Sequence, residues 1–224
     1  MSSISAENSL IGKYNKLAKL LYPHIPFTYY WYLSRIVGRE GESLIDFGCG
    51  WGDPVEVLQK IKRRTATGVD VFEKYLKVAK RKKIYDRLVK SEVTKFKEKD
   101  KYDFVFCFHV LEHLPKNKGL GTIKYFESIA KKKVVIALPV GQLAQDEYDG
   151  NSYQKHLSEW EPDEFRSLGY TVHGFSPKFL YGQKDVIKDY KIFGFLLFLL
   201  SYLLGIFYIN RPEKCVYMLA YKNI

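Results

Sequence analysis

Short apolar segments alternate with amphipathic segments through the middle of the chain. Apolar runs bounded by turn residues are typical of buried strands, and apolar residues at helical spacing are typical of helices packed on a sheet. The strands are predicted at 42–47, 66–71, 84–92, 102–108, 134–139, 170–175 and 215–221. Helices are predicted at 54–62, 73–83 and 121–131. Strands alternating with helices favour an α/β protein with a doubly wound parallel sheet.

A glycine-rich turn separates the first predicted strand from the first helix of this series. Its pattern is Asp46-x-Gly48-x-Gly50-x-Gly52, and glycines allow a tight turn and the close approach of a ligand to the backbone. Asp53 is predicted to cap the helix and Pro54 to occupy its first turn. The spacing differs from the dinucleotide-binding G-x-G-x-x-G pattern. The Asp46 carboxylate would repel phosphate and favours a ligand with a positive end.

This turn resembles the first motif of class I S-adenosylmethionine-dependent methyltransferases, whose ligand carries an ammonium, a sulfonium and a ribose but no phosphate. The segment Leu111-Glu112-His113-Leu114 after the predicted strand 102–108 resembles the small-molecule enzymes of that family. The resemblance extends over about 42–180 and the last strand. It implies a Rossmann-like, mostly parallel seven-stranded sheet with an antiparallel last strand.

The resemblance also implies a division of the chain. Within residues 1–40, the stretch 10–38 has Leu and aromatic residues at helical spacing, interrupted by Pro23 and Pro26. We interpret them as an N-terminal helical lid over cofactor and substrate, or as helices packed on the sheet. Residues 41–224 form the predicted methyltransferase domain, which contains a hydrophobic helical insertion at 183–212.

The centre of this insertion, 192–209, has no charged residue over eighteen positions, which makes it a candidate membrane span. A single crossing would separate the last strand from its partner at 170–175 in the sheet. We therefore expect a segment that dips into one leaflet, a helical hairpin, a homodimer interface or a part of the core. Basic residues on both sides favour contact with an anionic membrane surface.

Cofactor-binding residues are predicted at the carboxyl ends of the first four strands. Asp70 lies where the general βαβ rule places a carboxylate that accepts hydrogen bonds from ribose hydroxyls. By resemblance, Glu92 lies near the adenine amine. The predicted set for S-adenosyl-L-methionine is Asp46, Gly48, Cys49, Gly50, Trp51, Asp70, Val71, Glu92, Val93, Phe108 and His109.

Two histidines are the predicted catalytic residues. His113 follows the fourth strand, and His156 lies in a polar loop where it precedes Ser158-x-Trp160, which resembles the substrate-facing loop of the same methyltransferases. A histidine near the transferred methyl group could remove the proton of an oxygen nucleophile. Both could instead order their loops through hydrogen bonds. The spacing of residues along the chain indicates no zinc site, Ser-His-Asp triad or P-loop, so no metal is predicted.

Charge and cysteine usage limit the partners. The net charge of +11 favours anionic partners, but the lysines are spread over most helices. The Asn/Asp-Pro-Pro-Tyr/Phe signature of amino-group methylases is absent after Phe108, which makes nucleic acid an improbable substrate. Cys49, Cys107 and Cys215 have no metal or disulfide spacing, and residues 1–9 are polar. We therefore predict reduced cysteines, no secretory signal peptide and a cytoplasmic location, with peripheral or monotopic membrane association as an option.

These features together predict methyl transfer from S-adenosyl-L-methionine to a small-molecule or lipid- or glycan-linked acceptor, at a membrane surface in the second case. Two alternatives stay open: a nucleic-acid methyltransferase, and a non-catalytic binding module with a methyltransferase-like fold.

Overall fold

The computed structural model describes residues 21–142, 144–147, 150–181 and 202–224. Its strands are β1 Ser43–Phe47, β2 Thr65–Asp70, β3 Arg87–Lys90, β4 Tyr102–Phe108, β5 Ala130–Pro139, β6 Thr171–Pro177 and β7 Cys215–Asn223. Its helices are α1 Tyr29–Val37, α2 Asp53–Ile61, α3 Glu73–Lys82, α4 Lys116–Ile129, α5 Pro162–Ser167, α6 Lys178–Tyr181 and α7 at 202–208. Short 3-10 helices lie at Tyr22–His24, Leu111–His113, Ser152–Gln154 and Pro212–Lys214.

The strands form one seven-stranded sheet in the order β3-β2-β1-β4-β5-β7-β6. Strands β1 to β5 pair in parallel, and β7 runs antiparallel between β5 and β6. This confirms the predicted Rossmann-like sheet with an antiparallel last strand. The carboxyl ends of β1, β2 and β4 consequently meet at one edge, where ligands bind in open α/β sheets.

The central strand β4 supplies side chains to both faces of the sheet. Phe104 and Phe106 pack into the core on one face with Leu33 of α1, whereas Val105 packs into the core on the other face with Phe126 of α4. Successive side chains of a strand point to opposite faces. The continuous apolar run in the sequence therefore reflects burial on both faces, as predicted.

Helix α1 packs on the sheet with its last residues and reaches strand β6 with its first residue. Leu33 and Val37 are buried in the core, as the packing interpretation of this segment expects. At the other end of the helix, the ring of Tyr29 lies edge-on to Phe175 of β6, with ring centroids 5.6 Å apart. Residues 1–20 lie outside the described part of the chain, so the lid at 1–40 stays a prediction.

Several predicted boundaries are wrong. Gly52, and not Asp53, occupies the N-cap of α2, and Asp53 is the first helical residue, where it pairs with Lys82. Strand β3 covers only four residues of the predicted 84–92, and the apolar side chains of Ile84 and Tyr85 are buried against Gly52 of the glycine turn. Helix α4 begins at Lys116, directly after Pro115, and not at 121.

The hydrophobic insertion is described only at its end. Residues 182–201 lie outside the described ranges, and 202–208 are helical. Tyr202 Oη donates a hydrogen bond to the carbonyl of Pro26 at 2.9 Å, which ties α7 to the segment before α1. Pro177 and Cys215 pair across β6 and β7, so both ends of the insertion return to one sheet. None of the described helices has the length and hydrophobicity that a bilayer crossing needs.

Candidate active site

The glycine turn after β1 is held by backbone hydrogen bonds to the neighbouring strand β2. The amides of Gly48 and Cys49 both donate to the carbonyl of Val69 in β2, at 2.8 and 3.0 Å. Gly48 has φ +69°, and a Cβ there would lie 2.0 Å from Val110 Cγ2, so only glycine fits. Gly50 has φ +50°, but a Cβ there would meet only the Gly48 carbonyl at 4.0 Å. The turn is therefore packed at Gly48 and open at Gly50, where a ligand can approach the backbone.

Asp70 ends β2 and fixes this turn in place. Its Oδ2 accepts a hydrogen bond from the Gly50 amide at 2.8 Å, and its Oδ1 accepts one from the Phe72 amide at 2.8 Å. Burial raises the pKa of the carboxyl group, and these backbone hydrogen bonds counteract part of that rise. A carboxylate has about four acceptor positions, so Asp70 keeps capacity for ligand hydroxyls.

Asp46 is a buried carboxylate with an unused oxygen. Only 1% of the residue is exposed, and Oδ2 accepts a hydrogen bond from Tyr85 Oη at 2.6 Å. Its Oδ1 has no hydrogen-bond partner among the residues that the structure describes. Burial raises the pKa of Asp46 to about 7, although the Tyr85 hydrogen bond lowers it. A buried carboxylate with an unused oxygen is suited to a ligand cation, because unpaired buried charge is unfavourable.

All the predicted cofactor residues line two adjoining cavities at this edge of the sheet. Gly48, Gly50 and His109 line both cavities. The first is also lined by Asp70, Val71, Glu92 and Val93, and the second by Asp46, Cys49, Trp51 and Phe108. The structure therefore brings the whole predicted set together, although Glu92 also pairs with Lys95 at 2.7 Å.

Sequence reasoning missed part of this lining. Tyr75, Ser91, Thr94, Leu114, Asn151, Tyr153 and Gln154 also line the first cavity. Ser91 and Thr94 flank the predicted pair Glu92 and Val93, so their positions gave a usable signal. The segment 151–154 belongs to the loop that resembles a substrate-facing loop, but its contact with this cavity depends on tertiary packing and was not predicted.

A further cavity adjoins the first through His109, His113 and Gln154, which line both. Three aromatic side chains from separate elements contribute to its wall: Tyr29, Phe175 and Tyr217. Glu112, Gln145, His156 and Ser176 add polar groups. We call this space the acceptor cavity, because it combines apolar surface with a few polar groups next to the glycine turn.

Both predicted catalytic histidines line the acceptor cavity. The ring centroids of His113 and His156 are 4.9 Å apart, and His113 Nδ1 lies 3.2 Å from the Lys155 carbonyl. Burial lowers the pKa of His113, which favours the neutral imidazole near pH 7. His109 lies beside them with φ +55°, an uncommon conformation for a residue other than glycine.

The Ser-x-Trp segment after His156 anchors its loop. The carbonyl of Glu112 accepts hydrogen bonds from the amides of Leu157 and Ser158 at 2.7 and 3.1 Å. Ser158 Oγ donates to the Leu111 carbonyl at 3.1 Å and accepts from Trp160 Nε1 at 2.9 Å. Trp160 is buried. Ser158 and Trp160 therefore order the loop together with His113, whose Nδ1 lies 3.2 Å from the Lys155 carbonyl, and the loop places His156 beside His113.

Glu112 completes a cluster of potential metal ligands with these histidines. One ligand atom from each of Glu112, His113 and His156 lies within 4.8 Å of the other two. Sequence reasoning did not foresee this cluster, because its glutamate and its second histidine come from segments separated by α4 and β5.

The sheet order, the glycine turn and the acids that end β1 and β2 together define the class I methyltransferase fold. Residues 30–177 match a family described as a methyltransferase domain. Because the match covers more than half of the chain, the protein belongs to this family. The class I methyltransferase resemblance of the sequence is thereby confirmed.

Curated relatives share a common description. The chain is 27% identical to the ubiquinone biosynthesis O-methyltransferase of Bordetella avium (strain 197N) over 129 residues, which cover 50% of this chain and 53% of the relative. It is 30% identical to the enzyme of that name from Nitrosospira multiformis over 106 residues, which cover 45% and 43%. The chain thus spans about half the length, or less, of these relatives.

Solved structures share the fold at low sequence identity. The plantazolicin methyltransferase BpumL, in complex with a monoazolic desmethylPZN analog and SAH, has a TM-score of 0.55 and 16% identity, covering 93% of this chain and 86% of that one. The methyltransferase domain of bacterial-CtHen1-CN has a TM-score of 0.52 and 20% identity, covering 87% and 95%. At these identities the likeness supports the fold alone.

Proposed function

We propose that this protein transfers a methyl group from S-adenosyl-L-methionine to a hydroxyl group of a small-molecule acceptor. One arrangement carries the proposal: the cavity beside the glycine turn adjoins an acceptor cavity through His109 and His113. A bound donor and a bound acceptor can therefore meet at one wall. The O-methyltransferase names of the curated relatives support an oxygen acceptor.

The residues present fit this cofactor. The unused Oδ1 of Asp46 is suited to its ammonium group, and Asp70 has acceptor capacity for its ribose hydroxyls. Gly50 leaves the turn open, and Val71 and Val93 offer apolar surface for a base. When bound, S-adenosyl-L-methionine supplies a methyl group that its sulfonium already activates for transfer.

The chain then has to align the acceptor, exclude water and assist loss of the hydroxyl proton. Tyr29, Phe175 and Tyr217 position the acceptor and displace water from around it. His156 and His113 are the proposed catalytic residues, since both line this cavity and an imidazole can assist removal of a hydroxyl proton. The new bond joins oxygen to the methyl carbon, and the electron pair of the broken carbon–sulfur bond stays on sulfur.

The alternatives receive less support. The lysines and arginines behind the net charge of +11 are spread along the sequence, whereas a nucleic-acid-binding protein typically clusters them on one face or along one helix. A non-catalytic module has no need of two histidines beside the donor cavity.

Calorimetry and product analysis test the proposal. We expect the full chain to bind S-adenosyl-L-methionine and to produce S-adenosylhomocysteine when incubated with fractions of a cell extract. The methylated product should gain the mass of one methylene group. A folded sample that does not bind the cofactor would overturn the proposal, and binding without turnover in any fraction would favour the non-catalytic module.

We also propose that the acceptor is lipid-linked and that α7 contacts an anionic membrane surface. Phe207 and Leu203 of α7 are 74% and 49% exposed, and the basic residues Arg211 and Lys214 follow them. Exposed apolar side chains next to basic residues are typical of helices at a membrane interface. The expected cytoplasmic location is compatible with such a surface and stays a prediction.

Flotation with vesicles of phosphatidylcholine and phosphatidylglycerol tests this contact. Wild type should float with the vesicles, and the double variant L203S/F207S should stay at the bottom of the gradient. I224S removes another exposed apolar side chain, directly after β7, and should float like wild type. Equal flotation of all three proteins, or none, would contradict the contact. Light scattering of the same samples reports whether 192–209 mediates a homodimer instead.

A further inference from the structure

A buried carboxylate lies in the wall of the acceptor cavity without a full set of partners. The Glu112 side chain is 4% exposed, and its Oε1 lies 3.4 Å from His109 Nδ1. Its Oε2 has no hydrogen-bond partner among the described residues. Burial of a carboxylate is unfavourable unless hydrogen bonds or a cation compensate it. The geometry of Glu112 therefore indicates a cation at this position.

Two imidazoles converge with this carboxylate. Ligand atoms of Glu112, His113 and His156 all lie within 4.8 Å of one another. Nitrogen and oxygen ligands bind Zn²⁺ at about 2.0–2.2 Å, so two ligands of the same ion lie up to about 4.2 Å apart. The observed limit of 4.8 Å is close to this separation, so the three side chains are near enough to share one ion.

We propose that Glu112, His113 and His156 bind a divalent transition-metal ion. Two imidazoles and one carboxylate form a ligand set that suits Zn²⁺ or Fe²⁺ and is poor for Ca²⁺ and Mg²⁺, which prefer oxygen ligands. Three protein ligands leave an open position, as in catalytic metal sites. That position faces the acceptor cavity, because all three residues line it.

The surroundings orient the ligands for this role. A carbonyl oxygen only accepts, so the contact of 3.2 Å between His113 Nδ1 and the Lys155 carbonyl places the proton on Nδ1. Nε2 then carries the lone pair that coordinates a metal. The His156 amide donates to the Gln145 carbonyl at 3.1 Å, which fixes its backbone. His109 lies at the outer side of Glu112, where it can orient the carboxylate.

The role of the ion rests on the proposed function. A hydroxyl group of the acceptor would occupy the open position, and the cation would lower the pKa of that hydroxyl. Its proton passes to solvent, its oxygen forms the bond to the methyl carbon, and the carbon–sulfur electron pair stays on sulfur. His113 and His156 then assist proton loss as ligands of the cation. The acceptor class is thus an oxygen compound that coordinates a divalent ion.

Calorimetric titration with Zn²⁺ alone tests the site without cofactor or acceptor. The sample is the tag-free full chain, freed of metal by chelation and dialysis, because a histidine tag would bind Zn²⁺ itself. Wild type should bind one Zn²⁺ per chain and show no comparable binding of Mg²⁺. H113A, H156A and E112Q should each weaken Zn²⁺ binding more than about 100-fold, because each loses a direct ligand.

H24A is the matched control, since His24 is an exposed residue at the end of the 3-10 helix Tyr22–His24, and it should bind Zn²⁺ like wild type. Thermal unfolding of each variant confirms that it is folded, and H156A, which alters a half-buried loop residue, is the safest of the three. Unchanged Zn²⁺ binding in a folded H156A, or no binding in wild type, would overturn the metal site. A parallel titration with S-adenosyl-L-methionine separates the two proposals. If wild type binds Zn²⁺ but not S-adenosyl-L-methionine, the proposed function is overturned and the metal site is not.

Discussion

Gly50 and Asp70 are joined by a hydrogen bond of 2.8 Å from the Gly50 amide to the Asp70 carboxylate. The bond connects the turn after β1 to the end of β2, so one carboxylate both shapes the loop and faces the ligand cavity. A substitution at Asp70 therefore affects loop order and ligand affinity together.

D70N should weaken S-adenosyl-L-methionine binding about 10- to 100-fold, because hydrogen bonds to a charged group contribute about 1.5–3 kcal/mol. The asparagine amide cannot accept from both the Gly50 amide and the ribose as a carboxylate can. Calorimetric titration measures the change. D163N is the control, since Asp163 is an exposed residue of α5 that pairs with Arg166. Equal affinities of D70N and D163N would contradict the ribose role.

Asp46 should make the unliganded protein less stable as pH rises from about 4 to about 7. Its folded-state pKa is raised from 3.8 to about 7 by burial, so the folded state holds this proton more tightly than the unfolded state. The stabilisation from this proton is complete below the pKa of Asp46 in the unfolded state. It is lost as pH approaches the pKa of Asp46 in the folded state. The loss is at most about 4 kcal/mol.

D46N removes this titration and should be more stable than wild type above about pH 7, while it binds S-adenosyl-L-methionine more weakly. Chemical unfolding at several pH values measures the first effect, and calorimetry measures the second. Wild-type affinity should rise with pH through about 7 as Asp46 ionises, and D46N should lack this rise. Parallel pH profiles of the two proteins would refute the assignment.

G48A and G50A form a matched pair with different expected defects. A Cβ at Gly48 would lie 2.0 Å from Val110 Cγ2 at φ +69°, so G48A should lower the free energy of unfolding by about 2–4 kcal/mol. G50A should lower the free energy of unfolding by only about 1 kcal/mol, because the backbone there has a positive φ but no atom lies close to the new methyl group. That methyl group projects into the open side of the turn. We expect G50A to fold and to lose cofactor affinity. The reverse order of the two stabilities would count against this description.

S158A should reduce methyl transfer more than cofactor binding. It removes the hydroxyl that bridges the Leu111 carbonyl and Trp160 Nε1, which costs about 1–3 kcal/mol of stability because both groups are left without this partner. The loop that places His156 should then loosen, with kcat lowered about 10-fold. S128A, on exposed α4 surface, should leave both quantities unchanged. Wild-type kcat in S158A would show that the anchor has no role in positioning.

Local patterns of apolar and polar residues predict much of the fold. The run 102–108 predicts a buried strand because all but one of its residues are apolar, and the bounds of β4 agree with it. Boundaries were less reliable where tertiary contacts compete with local preference. Ile84 and Tyr85 read as strand, yet they pack against the glycine turn, where Tyr85 donates its hydrogen bond to Asp46.

The sequence by itself determined the donor side of the site. Asp46, Gly48, Gly50 and Asp70 lie at the ends of neighbouring strands, so their convergence follows from strand order alone. Only the tertiary structure decided the acceptor side. His156 reaches His113 and Glu112 because Ser158 and Trp160 anchor its loop after the chain has passed through α4 and β5. Local periodicity carries no information about such a long-range contact, since it is set by packing between segments distant in sequence.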